Sequence, residues 1–183
     1  MNSNFPVAVA VLTCSDRCFA GRTIDSAGPA VAQAIRKIMP GCTILAACVP
    51  DDAAAISSQL RQWAAGAHNP RQDLVLTTGG TGLSPRDVTP EATAAVLERM
   101  HPGLLELARR RCGEKNPKAY LSRGQAGTLA QTLIINLPGS PAGAVECLEA
   151  IADVLPHALA ALRGCDGHTD SRAQPPHSHG AGG

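Results

Sequence analysis

Four short apolar runs, each ending in a polar or glycine-rich segment, constrain the fold of this chain more than any other feature. The runs cover residues 6–13, 43–49, 73–78 and 131–137. Helical patterns of apolar residues separate them, and strands that alternate with helices build βαβ units around a mostly parallel sheet. The sequence therefore predicts an α/β protein with a mostly parallel central sheet covered by helices.

The composition agrees with one buried sheet. The chain has 183 residues, enough for one domain with a core. Hydrophobic residues make up 44% of the chain and aromatic residues only 2%, so the core must be built from aliphatic side chains. We expect a single folded domain over residues 1–163 and a disordered polar tail over residues 164–183. Three histidines of that tail offer an alternative metal-binding candidate: His168, His177 and His179.

Charge and cysteine usage exclude several classes of protein. The net charge of +1 gives no overall field that would favour nucleic acid or an anionic membrane. The chain shows neither a signal peptide nor an apolar run near the ~20 residues that a membrane span needs. Its seven cysteines lack zinc-ligand spacing. We therefore expect a cytoplasmic protein with reduced thiols and no nucleic-acid or membrane partner.

Two helix starts are recognisable from their capping residues. Ser26 precedes a helical pattern with Pro29 in its first turn, and we expect its hydroxyl to cap that helix. The sequence Thr89-Pro90-Glu91 combines a capping hydroxyl, a first-turn proline and an acid near the positive helix end. We expect this second helix to continue to about Arg99.

The segments that follow the four apolar runs are expected to meet at one edge of the sheet. In parallel α/β sheets, ligands bind beyond the carboxyl ends of the strands. Four polar segments occupy these positions: Ser15-Asp16, Asp51, residues 78–87 and residues 136–141. The sequence therefore predicts one site built from four converging loops.

The candidate phosphate-binding loop of this site is the segment Thr78-Gly79-Gly80-Thr81-Gly82. Glycines at a strand exit allow left-handed backbone and let a phosphate approach backbone N–H groups closely. The segment does not match the P-loop or the dinucleotide-binding glycine pattern. A plain tight turn is the alternative interpretation. The position after a buried strand, with Pro85-Arg86-Asp87 following, favours phosphate binding.

Asp51 and Asp87 are the candidate metal ligands. Both follow a proline-containing loop at a strand exit, and two carboxylates beside phosphates commonly hold Mg²⁺. Other acids near the same loops have local alternatives, because Asp52 can cap a helix, Glu91 can complement a helix dipole and Asp25 can fix a turn.

Residues 109–123 form a basic stretch with two interpretations. A solvated helix face is one, and a local anion site is the other. In the second, Arg86 or Arg123 would be a bidentate phosphate donor, with Lys115 or Lys118 as a point charge. Because the histidines lie outside the converging loops, positioning and metal electrostatics are favoured over histidine acid–base catalysis.

Five motifs in order resemble those of one enzyme family. They are Ser15-Asp16 with Gly21, Asp25 and Gly28; Val49-Pro50-Asp51; residues 76–93; Leu121-Ser122-Arg123; and residues 135–141. Together they resemble the molybdopterin adenylyltransferase family of molybdenum cofactor biosynthesis, which includes the G domains of plant molybdenum insertases and of gephyrin. The likeness covers about residues 6–163.

The resemblance implies a three-layer α/β/α fold and a homotrimer. It also implies an enzyme that transfers AMP from ATP to molybdopterin in the presence of Mg²⁺ and releases pyrophosphate. A molybdenum insertase would then receive the product. On this analogy Asp51 and Asp87 are the catalytic residues and metal ligands. Residues expected to contact the two substrates are Ser15, Asp16, Thr78, Gly79, Gly80, Thr81, Gly82, Arg86, Glu91, Ser122, Arg123, Asn136, Pro138, Gly139, Ser140 and Pro141.

Two other functions remain open at the level of sequence. One is a trimeric scaffold module that binds molybdopterin with weak or no catalysis. The other is a phosphohydrolase that acts on nucleotide-sugar or dinucleotide substrates without a pterin acceptor.

Overall fold

A six-stranded sheet organises the part of the chain that the computed structural model describes, residues 6–66 and 70–164. The strands are β1 (Ala8–Cys14), β2 (Thr43–Val49), β3 (Leu74–Thr78), β4 (Arg99–Met100), β5 (Ala126–Leu129) and β6 (Thr132–Leu137). The helices are α1 (Asp16–Phe19), α2 (Ala27–Ile38), α3 (Ala53–Ala65), α4 (Thr89–Ala94), α5 (Pro102–Gly113), α6 (Pro141–Glu149) and α7 (Leu155–Leu162), with a 3-10 turn over Pro117–Leu121.

The strand order is β2-β1-β3-β6-β5-β4. The first four strands of this order are parallel, and β5 and β4 continue the sheet by antiparallel pairing. All residues of β3 and β6 are buried, because helices cover both faces of the central strands. The prediction of a mostly parallel sheet in a three-layer fold is confirmed.

Successive side chains of each central strand belong alternately to two separate hydrophobic cores, one on each face of the sheet. Val9 and Val11 point to the face covered by α2, α5, α6 and α7, where Val31, Ile35, Leu148 and Ile151 are buried. Ala10 and Leu12 point to the opposite face, covered by α3 and α4 with Ile56, Leu60 and Trp63. This two-residue alternation is the direct result of the strand pleat. Both cores are mainly aliphatic, as the composition predicts.

The predicted cap of α2 is wrong. The Ser26 side chain makes no capping hydrogen bond. The preceding carboxylate of Asp25 takes that role, since its Oδ1 accepts from the N–H groups of Ala27 at 3.1 Å and Gly28 at 3.0 Å. A carboxylate at this position also complements the positive end of the helix. In α3, by contrast, Asp52 caps the helix by accepting from the Ala55 N–H at 2.8 Å.

The capping role predicted for Thr89 is also wrong. Thr89 is the first residue of α4, Val88 stands at the cap position, and the helix ends at Ala94 instead of near Arg99. The helix ends early because Arg99 and Met100 pair with β5 as an edge strand. The Thr89 hydroxyl is fully buried against the glycine-rich segment.

The antiparallel hairpin of β5 and β6 is absent from the sequence prediction. Its turn contains Ala130 with φ of 51°, a left-handed conformation that non-glycine residues seldom adopt. The Ala130 N–H donates to the Glu98 carboxylate at 3.0 Å, which helps to hold the turn. A side chain at Gly127 would lie 2.4 Å from the Arg99 carbonyl oxygen, so β4 can approach only because this residue is glycine.

Within residues 6–66 and 70–164 we find no helix with the length and apolar character required to span a bilayer. The expected tail of residues 164–183 lies, apart from Gly164, outside the described residues. The histidines considered for metal binding in that tail are outside them as well.

Candidate active site

The carboxyl ends of the four parallel strands meet, as predicted, and hydrogen bonds join the loops that follow them. The Thr78 hydroxyl donates to the Pro138 carbonyl oxygen at 2.7 Å, which links the loops after β3 and β6. The loops after β1 and β2 are joined by a reciprocal pair: the Asp16 N–H donates to Asp51 Oδ2 at 3.0 Å, and the Asp51 N–H donates to Asp16 Oδ1 at 3.1 Å.

The glycine loop, residues Thr78–Gly82, requires glycine at two of its positions for reasons of conformation and space. Gly79 has φ of 101° and Gly80 has φ of 61°. A Cβ on Gly79 would lie 2.3 Å from the Cys14 carbonyl oxygen, and one on Gly80 would lie 2.4 Å from the Thr89 hydroxyl. The backbone of this loop therefore packs directly on β1 and α4 and leaves its outer side to the cavities described below.

Two cavities flank the glycine loop. The first, which we call the acidic cavity, has a volume of about 370 Å³. Among the described residues, its lining contains three carboxylates and one cationic side chain: Asp25, Asp51, Asp87 and Arg17. Gly79, Gly80 and Ser15 also contribute to its wall. This cavity is suited to a cation together with an anionic group that the cation neutralises.

The second cavity, the basic cavity, has a volume of about 440 Å³. Its polar lining includes two cationic side chains, after which we name it, together with two carboxylates and two hydroxyls: Arg109, Lys118, Asp87, Glu146, Ser122 and Ser140. Apolar walls come from Leu105, Ala108, Ala119 and Leu121. Apolar walls with a few convergent polar groups are typical of binding sites for small organic molecules and cofactors.

The two cavities share part of their walls. Gly80, Asp87 and Gly139 line both of them. The Asp87 carboxylate accepts from the Ser84 N–H at 2.9 Å, and the Asp87 N–H donates to the Ser84 carbonyl oxygen at 2.9 Å. Asp87 is therefore held in a tight turn at the boundary between the two cavities.

The predicted metal ligands Asp51 and Asp87 both line the acidic cavity. No group of three or more His, Cys, Asp or Glu side chains in residues 6–66 and 70–164 is arranged as a metal cage. Mg²⁺ commonly binds through one or two carboxylates, with water and substrate phosphates as its remaining ligands. The donor set of the acidic cavity therefore fits Mg²⁺ that arrives with a phosphate chain.

The structure places several predicted substrate contacts in the cavities and gives others internal roles. Ser15 lines the acidic cavity and also caps α1 by accepting from the Cys18 N–H at 3.3 Å. Arg86 is exposed and contacts the Asp16 carboxylate. Thr81, Gly82, Ser122, Pro138 and Ser140 line the basic cavity.

Asn136 is a structural residue and lines neither cavity. Its side chain is buried, its Oδ1 accepts from the Gln125 N–H at 3.0 Å, and its Nδ2 donates to the hydroxyls of Thr77 and Thr93 at 2.9 Å each. Because these groups satisfy both ends of the amide, Asn136 joins β6 to α4 and to the chain before β5. Pro141, the first residue of α6, also lies outside both linings.

Arg123 and Glu91 contact each other, and neither lines a cavity. The Arg123 side chain also donates to the carbonyl oxygens of Gly82 and Asp87. Its hydrogen bond to Glu91 holds the pKa of that carboxyl below its usual range. Three of the five guanidinium N–H groups of Arg123 therefore donate to protein oxygens, and its predicted role as a phosphate donor stays a prediction.

Arg109 and Thr13 line the cavities, although no sequence motif identifies either as a site residue. Arg109 shares one face of α5 with Leu105, Ala108 and Cys112, and this spacing of three to four residues was the signal that could have placed it in a pocket. Thr13 lines the acidic cavity and donates to the Asp25 carboxylate at 2.6 Å.

Comparisons with known proteins identify the family. Residues 10–157 match the family model MoCF_biosynth, described as "Probable molybdopterin binding domain". The molybdopterin adenylyltransferase of Helicobacter pylori is 36% identical over 159 residues, which cover 86% of this chain and 89% of that protein.

A solved structure and a longer relative agree with this match. The molybdopterin biosynthesis enzyme MoaB from Thermus thermophilus is 47% identical, with a TM-score of 0.75 over 86% of this chain and 97% of that chain. The molybdenum cofactor synthesis protein cinnamon of Drosophila melanogaster is 39% identical over 155 residues, 84% of this chain. This chain spans 25% of the length of that relative. The chain therefore belongs to the molybdopterin-binding domain family of molybdenum cofactor biosynthesis.

Proposed function

We propose that this protein is a molybdopterin adenylyltransferase, which transfers AMP from Mg²⁺-bound ATP to the terminal phosphate of molybdopterin. The observation that carries the proposal is the junction of the two cavities at Gly80, Asp87 and Gly139. Two cavities that meet at a carboxylate and a glycine loop suit two anionic substrates whose phosphates must come into contact. The name of the Helicobacter pylori relative supports the same activity.

The acidic cavity is the proposed site for the phosphates of ATP. Asp51 and Asp87 would hold Mg²⁺ there, and Mg²⁺ supplies charge neutralisation for the phosphates and the departing pyrophosphate. The glycine loop contributes backbone at the boundary of both cavities, where N–H groups can donate to phosphate oxygens. Without such cationic and N–H partners, the three carboxylates of this cavity would repel the nucleotide.

The basic cavity is the proposed site for molybdopterin. Leu105, Ala108 and Leu121 provide apolar walls for the pterin, while Lys118 and Ser122 provide polar groups for its phosphate. Ser140 caps α6 by accepting from the Gly143 N–H at 3.2 Å, so the positive end of that helix also faces this cavity. These features favour an anionic group at the end of a flat apolar ligand.

The proposed reaction needs no covalent enzyme intermediate. A phosphate oxygen of molybdopterin attacks the α-phosphorus of ATP, and a new P–O bond forms as the bond to the β-phosphate oxygen breaks. Pyrophosphate takes the electron pair of the broken bond and leaves. In such transfers the protein acts mainly by aligning the two reactants and stabilising charge, which is the task of the residues at the cavity junction.

One assay tests the proposal. Purified protein is incubated with Mg²⁺ and ATP, and pyrophosphate release is measured with and without molybdopterin. Release that requires molybdopterin supports the transferase. Release without molybdopterin would identify a hydrolase, and binding of molybdopterin without any release would identify a scaffold module. Omission of Mg²⁺ should abolish the pterin-dependent release, and full activity in a chelator would contradict the metal assignment.

We also propose a cytoplasmic homotrimer that passes its adenylylated product to a molybdenum insertase. The match covers only a quarter of the cinnamon relative, and the rest of that protein supports a link to further domains. Light scattering on the purified chain measures the assembly directly, and a monomer at the concentration used for the assay would contradict the trimer.

A further inference from the structure

Arg123 attaches the segment that carries Asp87 to the wall of the basic cavity. Its backbone N–H donates to the Thr81 carbonyl oxygen at 2.9 Å. Its Nε donates to the Gly82 carbonyl oxygen at 2.7 Å, and its Nη2 donates to the Asp87 carbonyl oxygen at 2.6 Å. The remaining nitrogen, Nη1, contacts the Glu91 carboxylate. One residue therefore holds this segment at four positions along its length.

The segment depends on such attachments because its middle crosses the surface. Residues 83–86 are exposed and belong to no strand or helix. The two hydrogen bonds between Ser84 and Asp87 fix the shape of the turn, but they do not fix its position relative to the cavities. The contact of Arg86 with the Asp16 carboxylate holds the exposed side of the turn. Arg123 holds the main chain of Asp87 itself.

Arg123 is in turn held by a residue of the basic cavity. The Arg109 Nε donates to the Ser122 carbonyl oxygen at 3.1 Å, and its Nη2 donates to the Gly124 carbonyl oxygen at 2.9 Å. These two bonds fix the main chain on both sides of Arg123. Arg109 and Ser122 both line the basic cavity. A continuous set of contacts therefore runs from the wall of the basic cavity to the carboxylate at the junction.

We propose that Arg123 is a positioning residue that sets the location of the Asp87 carboxylate relative to the ligand in the basic cavity. This role rests on the proposed adenylyl transfer, since it matters for the reaction only if Asp87 serves that reaction. Three of the five guanidinium N–H groups hold the Asp87 segment and Glu91 faces the charge, so these contacts give the side chain a holding role before any ligand binds.

The test compares Arg123→Ala and Arg123→Lys with a matched arginine. Arg111 is the control, since it also ties two segments by donating to the Ala150 carbonyl oxygen at 2.7 Å and to the Asp153 carboxylate. Arg111 lines neither cavity. Each variant is assayed for kcat of pterin-dependent pyrophosphate release and for the Kd of molybdopterin without ATP. A thermal melt of each variant establishes that it is folded.

We expect Arg123→Ala to lower kcat by about 100-fold, the scale on which a small misplacement of a reacting group costs rate. The Kd of molybdopterin should change by less than about threefold, because binding does not use the guanidinium. Arg123→Lys should restore little of the lost rate, since one ammonium cannot reach three separate acceptors. Arg111→Ala should keep the wild-type kcat. A large loss of molybdopterin affinity that lysine restores would show a phosphate ligand and overturn the proposal.

A second measurement is independent of catalysis. Hydrogen exchange is followed at the amides of Asp87 and Thr89, with neither substrate present. Arg123→Ala, or Arg123→Lys if the alanine variant does not fold, should exchange at least about tenfold faster there, while the amides of β3 keep their protection. Unchanged exchange would overturn the positioning role. Faster exchange in a protein whose wild type shows no adenylyl transfer would support the attachment while rejecting the proposed function.

Discussion

The acidic and basic cavities differ in charge although they share one wall. The acidic cavity is lined by three carboxylates and one cation, Arg17, whereas in the basic cavity Arg109 and Lys118 balance Asp87 and Glu146 beside apolar walls. Both substrates of the proposed reaction are anions, so under that proposal the two cavities would meet the same electrostatic problem differently. One would rely on a cation that arrives with its ligand, and the other on cationic side chains of the protein.

Asp87 belongs to both cavities, and its substitution should have the largest effect. We expect Asp87→Asn to lower pterin-dependent pyrophosphate release by at least about 100-fold, because a preorganised charge at the reacting phosphates is lost. The asparagine can still accept from the Ser84 N–H, so the Kd of molybdopterin should stay close to that of the wild type. Asp153→Asn, at an exposed ion pair away from both cavities, is the control. Near-normal turnover in Asp87→Asn would show that the Asp87 carboxylate has no role in the reaction.

Gly79 lines the acidic cavity alone, and a methyl group there should damage both stability and that cavity. In Gly79→Ala the new Cβ would meet the Cys14 carbonyl oxygen, and the φ of 101° would become strained. We expect the free energy of unfolding to fall by about 2 kcal/mol, within the range for a forced backbone conformation. Urea unfolding measures this loss. Gly103→Ala, where a Cβ meets nothing within 4 Å, should leave stability nearly unchanged and serves as the control.

Asp51 lines the acidic cavity and not the basic one, so its substitution tests the acidic cavity separately. We expect Asp51→Asn to weaken binding of Mg²⁺-ATP by about tenfold, since the proposed metal ligand, a half-buried carboxylate, loses its charge. The affinity for molybdopterin should change by less than twofold. The neighbouring Asp52→Asn provides a matched control, because Asp52 caps α3 outside the cavity and asparagine is an equally good cap. An equal loss of affinity for Mg²⁺-ATP and for molybdopterin in Asp51→Asn would contradict the assignment of the two substrates to separate cavities.

Lys118 is the corresponding test of the basic cavity, with the smallest expected effect. Its side chain is exposed, so we expect Lys118→Ala to weaken molybdopterin binding by only about threefold, with a larger difference at low salt. Binding of Mg²⁺-ATP should be unaffected. Lys115→Ala removes the same charge from a residue outside the lining. An equal loss of molybdopterin affinity in Lys115→Ala would show that the positive charge acts through the general electrostatic field of the surface and not through a local contact of Lys118.

The parallel strands, and the edge of the sheet where their carboxyl ends meet, were predictable from the sequence. Parallel strands that are buried on both faces appear in a sequence as continuous apolar runs. The predicted limits of β2, residues 43–49, agree with the observed strand. The β5–β6 hairpin was not predictable in the same way. Its first strand, Ala-Gly-Thr-Leu, has little strand propensity, and its turn residue Ala130 is an unusual choice for a left-handed conformation.

The roles of individual polar residues could be predicted only in part. Asp51 follows β2 after one residue and Asp87 lies in the loop after β3, so their position in the chain placed them at the edge of the sheet. Arg123 and Asn136 also lie near that edge, but their roles depend on which acceptors and donors surround them in three dimensions. The positions of the motifs in the chain therefore located the site. Only the structure shows which of these residues line a cavity and which hold other parts of the protein.

Each cavity also contains a buried thiol, Cys14 in the acidic cavity and Cys147 in the basic one. Burial raises the pKa of both thiols to about 12. At pH 7 only on the order of one such group in 10⁵ would be a thiolate, the form that reacts with oxidants and electrophiles. The Cys14 and Cys147 thiols should therefore resist oxidation and alkylation, a property that the half-buried Cys18 and Cys112 of the same cavity walls do not gain from full burial.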